Sequence, residues 1–175
     1  MQKVTFRIRK FLFLICFFSL TTAARGDACL DALRDRAMAV QMQNYELMIL
    51  TADSVINRCE YKVGRNFGRV TAEKILANAM LGRYAEGLKN ADACLKNYPG
   101  FPTCLYWKAV IHRDLGQKTE FDRTKKFAIQ ASNYLIANGS ELIASATSII
   151  ERIELQADVE TAGVVLRNLD ALTYR

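Results

Sequence analysis

The sequence predicts an all-α fold, and three observations point to it. Strand-type alternation of polar and apolar residues is almost absent. The only two prolines, Pro99 and Pro102, share one connector, so neither interrupts a long segment. Glycines stand where helical periodicity stops, as they do at helix ends. We therefore expect helices at 28–42, 45–60, 69–81, 84–97, 103–115, 118–137, 140–156 and 158–172.

Each break between these helices contains residues that favour it. Gly82 and Gly116 are placed to adopt the left-handed conformation that other residues avoid. Residues 97–102, NYPGFP, cannot continue a helix, because proline lacks a donor and clashes with the preceding turn. Residues 138–140, NGS, should close one helix and offer a cap to the next. Residues 61–68, YKVGRNFG, form the longest expected connector.

Residues 1–24 have the pattern of a cleavable secretory signal peptide. A start with four cations and no acid, MQKVTFRIRK, precedes the apolar run FLFLICFFSL and then small residues. An uncleaved anchor is the alternative, but this run is shorter than the roughly twenty residues that span a bilayer. We expect cleavage near Ala24 and a periplasmic or secreted domain over 25–175.

Lipid attachment at Cys29 is a second alternative, which the poorly matching residues Gly26 and Asp27 disfavour. Loss of the leader also changes the charge, because removing its four cations from a net charge of +6 leaves about +2. A nucleic-acid-binding domain needs a clustered basic face, and this small excess does not provide one. We expect no nucleic-acid partner, and membrane association only through a partner.

An internal repeat relates two of the expected helix pairs. Leu81 and Gly82 align with Leu115 and Gly116 at an offset of 34 residues, the period of tetratricopeptide repeats (TPR). Residues 68–101 resemble such a repeat at matching positions of its second helix and connectors: Gly82, Tyr84, Gly87, Ala91, Cys94, Leu95 and Pro99.

Residues 102–135 resemble a second repeat, which departs from the family pattern at Lys118 and Phe121. A weaker match around Tyr45 needs five extra residues, and residues 140–172 are expected to add a helical pair as a cap. The resemblance implies an α-solenoid of two to three antiparallel helix-turn-helix repeats. Within it, the small residues Gly87, Ala91 and Cys94 share one helical face and should allow close packing of neighbouring helices.

Four cysteines remain after the leader is removed, which in an exported chain suggests disulfides. In an antiparallel hairpin, residues equidistant from the turn lie side by side. Cys29 and Cys59 are symmetric about residue 44, and Cys94 and Cys104 are symmetric about Pro99. We expect these two disulfides, with four buried free thiols as the alternative.

The sequence offers little that could support catalysis or hold a metal. No C-x-x-C pair occurs, and His112 is the only histidine, so a zinc site is not expected. Cys104 and His112 are eight residues apart on one expected helix, about 12 Å along its axis, too far for a nucleophile and its base. We expect His112 to be a half-buried packing residue, and the protein to be neither an enzyme nor cofactor-dependent.

The TPR resemblance implies a concave groove for a protein partner. Its groove-facing positions fall on ten residues of this chain: Arg69, Ala72, Leu76, Ala79, Met80, Thr103, Tyr106, Val110, Arg113 and Asp114. The set is apolar or amphipathic, which suits a peptide or partner helix with an apolar face more than a charged tail. No small-molecule substrate is expected. Leu76 and Met80 could equally be covered by a neighbouring helix.

The resulting expectation is an exported protein–protein interaction adaptor, an assembly or accessory factor of an envelope or secretion complex. A type III secretion accessory protein is the specific expectation, by analogy of fold and size. The alternative is a structural subunit that self-assembles through its end helices. The last helix has an apolar surface at Val164, Val165, Leu166 and Leu169, which is either a cap against the array or a dimer face.

Overall fold

The protein is all-α in a computed structural model that describes residues 27–61 and 64–174. The expected signal peptide, its cleavage site and Cys16 lie outside these residues. No strand occurs in either range. The described part of helix α1 covers 27–41, and the other helices are α2 (Tyr45–Arg58), α3 (Gly64–Met80), α4 (Tyr84–Asn97), α5 (Pro102–Asp114), α6 (Lys118–Ser145) and α7 (Ile149–Ala171).

Helices α3 and α5 end where the two glycines predict. Gly82 and Gly116 have φ values of 69° and 71°, in the left-handed region. The turn before α2 is also local in origin, because the side-chain oxygen of Asn44 accepts a hydrogen bond from Leu47 N at 3.1 Å. Helix α3 begins at Gly64, so the expected connector 61–68 is shorter than predicted.

The predicted break at residues 138–140 is wrong. Helix α6 runs through Gly139, where a β-carbon would lie 2.6 Å from Val159 Cγ2 of α7. Gly139 therefore permits a close crossing of two helices and does not end one. The expected helices at 140–156 and 158–172 are instead the end of α6 and a single α7.

The break lies at Ala146, and α7 starts from a side-chain cap. Ser148 Oγ accepts from Glu151 N at 3.1 Å, and Glu151 Oε2 accepts from Thr147 N at 3.0 Å. The first bond satisfies an amide that the first helical turn leaves without a partner, and the second fixes the residue that precedes the cap.

Consecutive helices pack against one another, and α5 contacts both α3 and α7. Four clusters of buried apolar residues follow this order along the chain, from the α1–α2–α3 end to the α5–α6–α7 end. Gly87, Ala91 and Cys94 are buried, as the small-residue pattern predicts. A β-carbon at Gly87 would lie 2.6 Å from Ile111 Cδ1, so this glycine permits the close approach of α4 and α5.

Two disulfides join the described cysteines, and they are the pairs expected from the sequence. Cys29–Cys59 has a Cα–Cα distance of 4.8 Å and joins the first described turn of α1 to the end of α2, so these helices run antiparallel. Cys94–Cys104 has a Cα–Cα distance of 6.5 Å and joins α4 to α5. The Cys29 sulfur is occupied by this bond and is not available for a lipid.

The last helix closes the end of the core. Val165 and Leu169 are buried against α5 and α6, whereas Val164 is about half exposed. After the helix, Tyr174 Oη donates to the carbonyl of Gly116 at 2.6 Å. In the two described ranges, no helix combines the length and apolar character needed to cross a membrane.

Candidate partner-binding cleft

A cleft of about 270 Å³ opens between α1, α3, α5 and α7. We call it the apolar cleft, because Leu76 of α3 and Phe101 and Trp107 of the α5 region supply large apolar side chains to its wall. The remaining lining residues are smaller, polar or charged: Arg36, Arg69, Ala72, Glu73, Pro102, Thr103, Asp158 and Thr161. An apolar cavity with charged groups at its edges suits an apolar side chain of a partner.

Four of the ten groove residues expected from the sequence line this cleft: Arg69, Ala72, Leu76 and Thr103. Arg69, Ala72 and Leu76 lie on successive turns of α3, and Thr103 lies in the first turn of α5. Leu76 is half-buried, and its exposed part faces the cleft. The structure therefore brings one face of α3 together with the N-terminal end of α5.

The other six expected residues lie outside the apolar cleft. Val110 is buried in the cluster that includes Val165 and Leu169, because α7 covers this part of α5. Ala79 is half-buried against the cluster of buried residues that α3, α4 and α5 share, and Met80 is 54% exposed at the end of α3.

Tyr106, Arg113 and Asp114 also lie outside the cleft. Tyr106 is half-buried, with its ring edge-on to Trp107 at a centroid distance of 5.0 Å. Its burial raises the pKa of its phenol, although the charge of Arg113 acts in the opposite direction. Arg113 pairs with the adjacent Asp114 at 2.6 Å, which leaves neither charge unpaired.

One side of the apolar cleft is made by a buried ionic bridge between α3 and α7. Asp158 is only 4% exposed, and its Oδ1 accepts from Arg69 Nη2 at 2.7 Å. Arg65 Nε lies 3.1 Å from Asp158 Oδ2, and Arg69 Nη2 also donates to the carbonyl of Glu154 at 2.6 Å. We call Arg65, Asp158 and Arg69 the ionic bridge.

Burial raises the pKa of Asp158, because desolvation of the carboxylate outweighs the opposing effects of its arginine partners. The hydrogen bond and charge of Arg69 and the charge of Arg65 lower this pKa, while the charge of Glu154 raises it further. The two arginines therefore offset only part of the free-energy cost of burying the charged carboxylate of Asp158.

A second ion pair stands on the α1 side of the cleft. Arg36 Nε donates to Glu73 Oε2 at 2.7 Å, and Arg36 Nη2 contacts the other carboxylate oxygen. Both side chains are about three-quarters buried. The charges at both edges of the cleft are therefore already paired, and the surface they leave for a ligand is the apolar wall.

Sequence reasoning missed seven of the lining residues: Arg36, Glu73, Phe101, Pro102, Trp107, Asp158 and Thr161. Trp107 is the only tryptophan of the chain and follows Tyr106, a signal that could have drawn attention to it. Asp158 had no comparable signal, because a lone acid on an amphipathic helix is usually solvated, and its burial depends on where α7 packs.

His112 and Cys104, the two residues weighed in the sequence as a base and a nucleophile, both have contacts within the fold. His112 is more buried than expected, and only its Nδ1 is paired, at 2.6 Å from Gln117 Oε1, while Nε2 has no partner. Cys104 is in a disulfide. Within 27–61 and 64–174, no group of three or more His, Cys, Asp or Glu residues could hold a metal ion.

No protein-family model matches the chain, and neither the curated proteins nor the solved structures include a significantly similar one.

Proposed function

We propose that this chain is an exported helical-repeat adaptor of the TPR type that binds a protein partner through the apolar cleft. The observation that carries the proposal is the cleft itself, with Leu76, Phe101 and Trp107 in its wall and paired charges at its edges. Its partner belongs to the cell envelope or to a secretion complex. A type III secretion apparatus is among the first complexes to test.

The backbone of the helix turns supports the repeat interpretation. After α3, Arg83 N donates to Asn78 O and Gly82 N donates to Ala79 O. After α5, the same two bonds recur 34 residues later: Gln117 N to His112 O, and Gly116 N to Arg113 O. This pair of bonds is the Schellman motif that closes a helix at a left-handed residue.

The weaker repeat at the N-terminal end has the same closing motif. Asn44 N donates to Ala39 O and Gln43 N donates to Val40 O, and Gln43 has a φ of 51°. The offset from Gly82 is 39 residues, the period of 34 plus the five extra residues that the sequence alignment needs.

Export is supported by the two disulfides, since such bonds persist mainly in oxidising compartments. The first of them has a loop of 30 residues and ties α1 to α2. Helix α1 contributes Arg36 to the cleft, so oxidation also supports the geometry of the proposed binding surface.

Site-specific photocrosslinking in the native host tests the adaptor function. A benzophenone amino acid replaces Thr103, which lines the apolar cleft, or Leu50, which is 66% exposed on α2 and outside the cleft. We expect a discrete adduct with an envelope protein from position 103 and none from position 50.

A second substitution gives the result that would refute the proposal. Leu76→Arg places a charge in the cleft and should remove the adduct formed from position 103, whereas Leu50→Arg should leave it unchanged. An adduct that survives Leu76→Arg would exclude the cleft as the binding surface, provided that both variants keep the thermal midpoint of the parent.

Self-assembly is a second candidate function, and a specific surface favours it. Ile149, Ile150 and Ile153 lie on one face at the start of α7 and are 64–75% exposed. Val165 and Leu169, which the sequence offered as either a cap against the array or a dimer face, are buried in the protein's own core. Sedimentation velocity tests this candidate: a self-assembling subunit gains mass with concentration, and Ile150→Glu should abolish that gain.

A further inference from the structure

One side of α7 carries a stripe of apolar and small residues that no other described element covers. Five positions lie within about 40° of one line along the helix, at about 100° per residue. We call them the α7 stripe: Ile150, Ile153, Ala157, Thr161 and Val164. All five are exposed, with Ile150 at 71%, Ile153 at 64% and Val164 at 46%. The stripe is about 21 Å long, at a rise of about 1.5 Å per residue.

Thr161, the one polar member of the stripe, has its hydroxyl group paired within the helix. Its Oγ1 donates to the carbonyl of Ala157 at 2.7 Å. A surface that packs on the stripe therefore meets no unpaired hydroxyl donor there. The contact that the stripe offers is mainly apolar, and its burial is favoured by the hydrophobic effect.

The spacing of the α7 stripe is the same in both directions along the helix. Successive members are three, four, four and three residues apart, so the stripe is symmetric about Ala157. If two copies of α7 pack antiparallel about a two-fold axis at Ala157, Ile150 lies opposite Val164 and Ile153 lies opposite Thr161. A closed symmetric dimer needs a surface that is complementary to itself in this way. A partner of unrelated sequence places no such requirement on α7.

The sizes of the side chains fit the same arrangement. Ala157 lies at the axis, where two crossing helices come closest, and its single methyl group permits that approach. Ile150 and Val164, which are larger, lie about two turns from the axis on either side. Each of them therefore meets the other at the ends of the contact, where the helices diverge.

The charges beside the stripe are also compatible with a second copy. Glu160 lies on the exposed flank of α7, where it accepts from Gln156 Nε2 at 2.9 Å. In the antiparallel pair, Arg152 and Gln156 of the second copy lie on that flank, each about 3 Å along the axis from the level of Glu160. Glu154 is at that level too, but on the other flank, beside Arg65 of α3. The carboxylate of Glu160 therefore faces a cation and an amide, which is electrostatic complementarity.

We propose that a second copy of this chain packs on the α7 stripe, with the two α7 helices antiparallel and Ala157 at the two-fold axis. The inference rests on self-assembly, the second candidate function, and specifies its interface. The interface borders the apolar cleft, because Thr161 belongs to the stripe and also lines the cleft. Ile153 of the second copy then lies at the edge of the proposed binding surface.

Cysteine crosslinking of the oxidised protein tests this geometry. The axes of packed helices are about 8–10 Å apart, which brings facing Cα atoms to within about 5 Å, inside the range of a disulfide. The matched control is Thr161→Cys, because the two copies of Thr161 lie about 12 Å apart along the axis. Ala157→Cys should form a covalent dimer in a glutathione redox buffer about tenfold or more faster than Thr161→Cys does.

Sedimentation velocity separates failure of this inference from failure of self-assembly. Ile150→Glu should abolish both the gain of mass with concentration and the covalent dimer of Ala157→Cys. Leu50→Glu, on the exposed face of α2, should leave both unchanged. A gain of mass with equal crosslinking of Ala157→Cys and Thr161→Cys would overturn the antiparallel arrangement and leave self-assembly standing. No gain of mass with concentration would overturn both.

Discussion

At Gly139, α6 and α7 approach so closely that a β-carbon would meet both methyl groups of Val159, at 2.6 Å and 3.3 Å. Gly139→Ala gains about 1 kcal/mol of helix propensity. It also overpacks a β-branched side chain that cannot rotate out of the way, at about 1–3 kcal/mol. We expect a net loss of about 1 kcal/mol in the free energy of unfolding, measured by urea denaturation.

Two further variants identify the cause of that loss. Gly163→Ala, inside α7, places its β-carbon 3.7 Å from the flexible end of Arg167 and should stabilise the protein by about 0.5–1 kcal/mol. Gly139→Ala combined with Val159→Ala should be less destabilised than the sum of the single changes. Additivity in that cycle would contradict a clash between these two residues.

The buried carboxyl of Asp158 makes stability depend on pH in an identifiable direction. Burial raises its pKa above the ordinary value of 3.8, so the folded protein holds this proton more tightly than the unfolded chain does. The contribution of such a group is fully present below its unfolded pKa and is lost as the pH rises through the raised value.

Asp158→Asn removes that proton-binding site, and the comparison with the wild type is measured by urea unfolding between pH 7 and pH 4. We expect the stability of the wild type relative to the variant to increase as the pH falls. Asp170→Asn, on the exposed face of α7, controls for the general effect of removing a carboxylate. A difference that decreases towards pH 4 would mean that the arginines dominate over burial.

At the scale of the helices, the start of α7 depends on the cap at Ser148. Ser148→Ala removes the acceptor for Glu151 N and should lower the free energy of unfolding by about 1 kcal/mol. Ser145→Ala is the control, because Ser145 Oγ donates to Leu142 O inside the last turn of α6, where alanine is at least as favourable. Equal effects of both changes would show that the cap does not hold the helix start.

The helix boundaries show which signals in the sequence are sufficient. Gly82, Gly116 and Asn44 act through their own backbone or side chain, so local reasoning places those turns correctly. Gly139 was wrongly predicted to end a helix, because glycine also occurs where two helices pack closely. The sequence around Gly139 does not show that α7 packs there. The cap at residues 148–151, SIIE, is itself a local signal, and it identifies the true start of α7.

Local signals in the sequence predict the lining of the cleft less well than they predict the helix boundaries. Arg69, Ala72, Leu76 and Thr103 follow from the resemblance to tetratricopeptide repeats, whose groove-facing positions fall on α3 and α5. Asp158 does not, since its place depends on how the long α7 packs across two earlier helices. Val110 lies outside the cleft for the same reason, because α7 covers it.

At the scale of the whole molecule, the buried apolar residues form separate clusters that follow one another along the described chain. Ala32, Ala52, Val55 and Val70 form one cluster that holds α1 and α2 on α3. The largest cluster joins α5, α6 and α7 at the other end. Stability built from neighbour contacts of this kind allows one end to open while the other stays folded.

Removal of the Cys29–Cys59 disulfide tests this division. In the chain-entropy model, a bridge closing a loop of 30 residues contributes about 3–4 kcal/mol. Since α1 and α2 contact α3 through small clusters, this loss should fall on them first. Cys29→Ser with Cys59→Ser should reduce hydrogen-exchange protection in 27–58 by about a hundredfold or more. Protection in α5 to α7 should change much less.

The control removes a weaker contact from the same end of the molecule. Glu46→Gln breaks the exposed pair with Arg83, worth at most about 1 kcal/mol, and should change protection in α2 only slightly. An equal loss of protection in all helices of the disulfide variant would mean that the chain unfolds as one cooperative unit. A loss confined to α1 and α2 would mean that Arg36, and with it one edge of the apolar cleft, depends on the oxidised state of the protein.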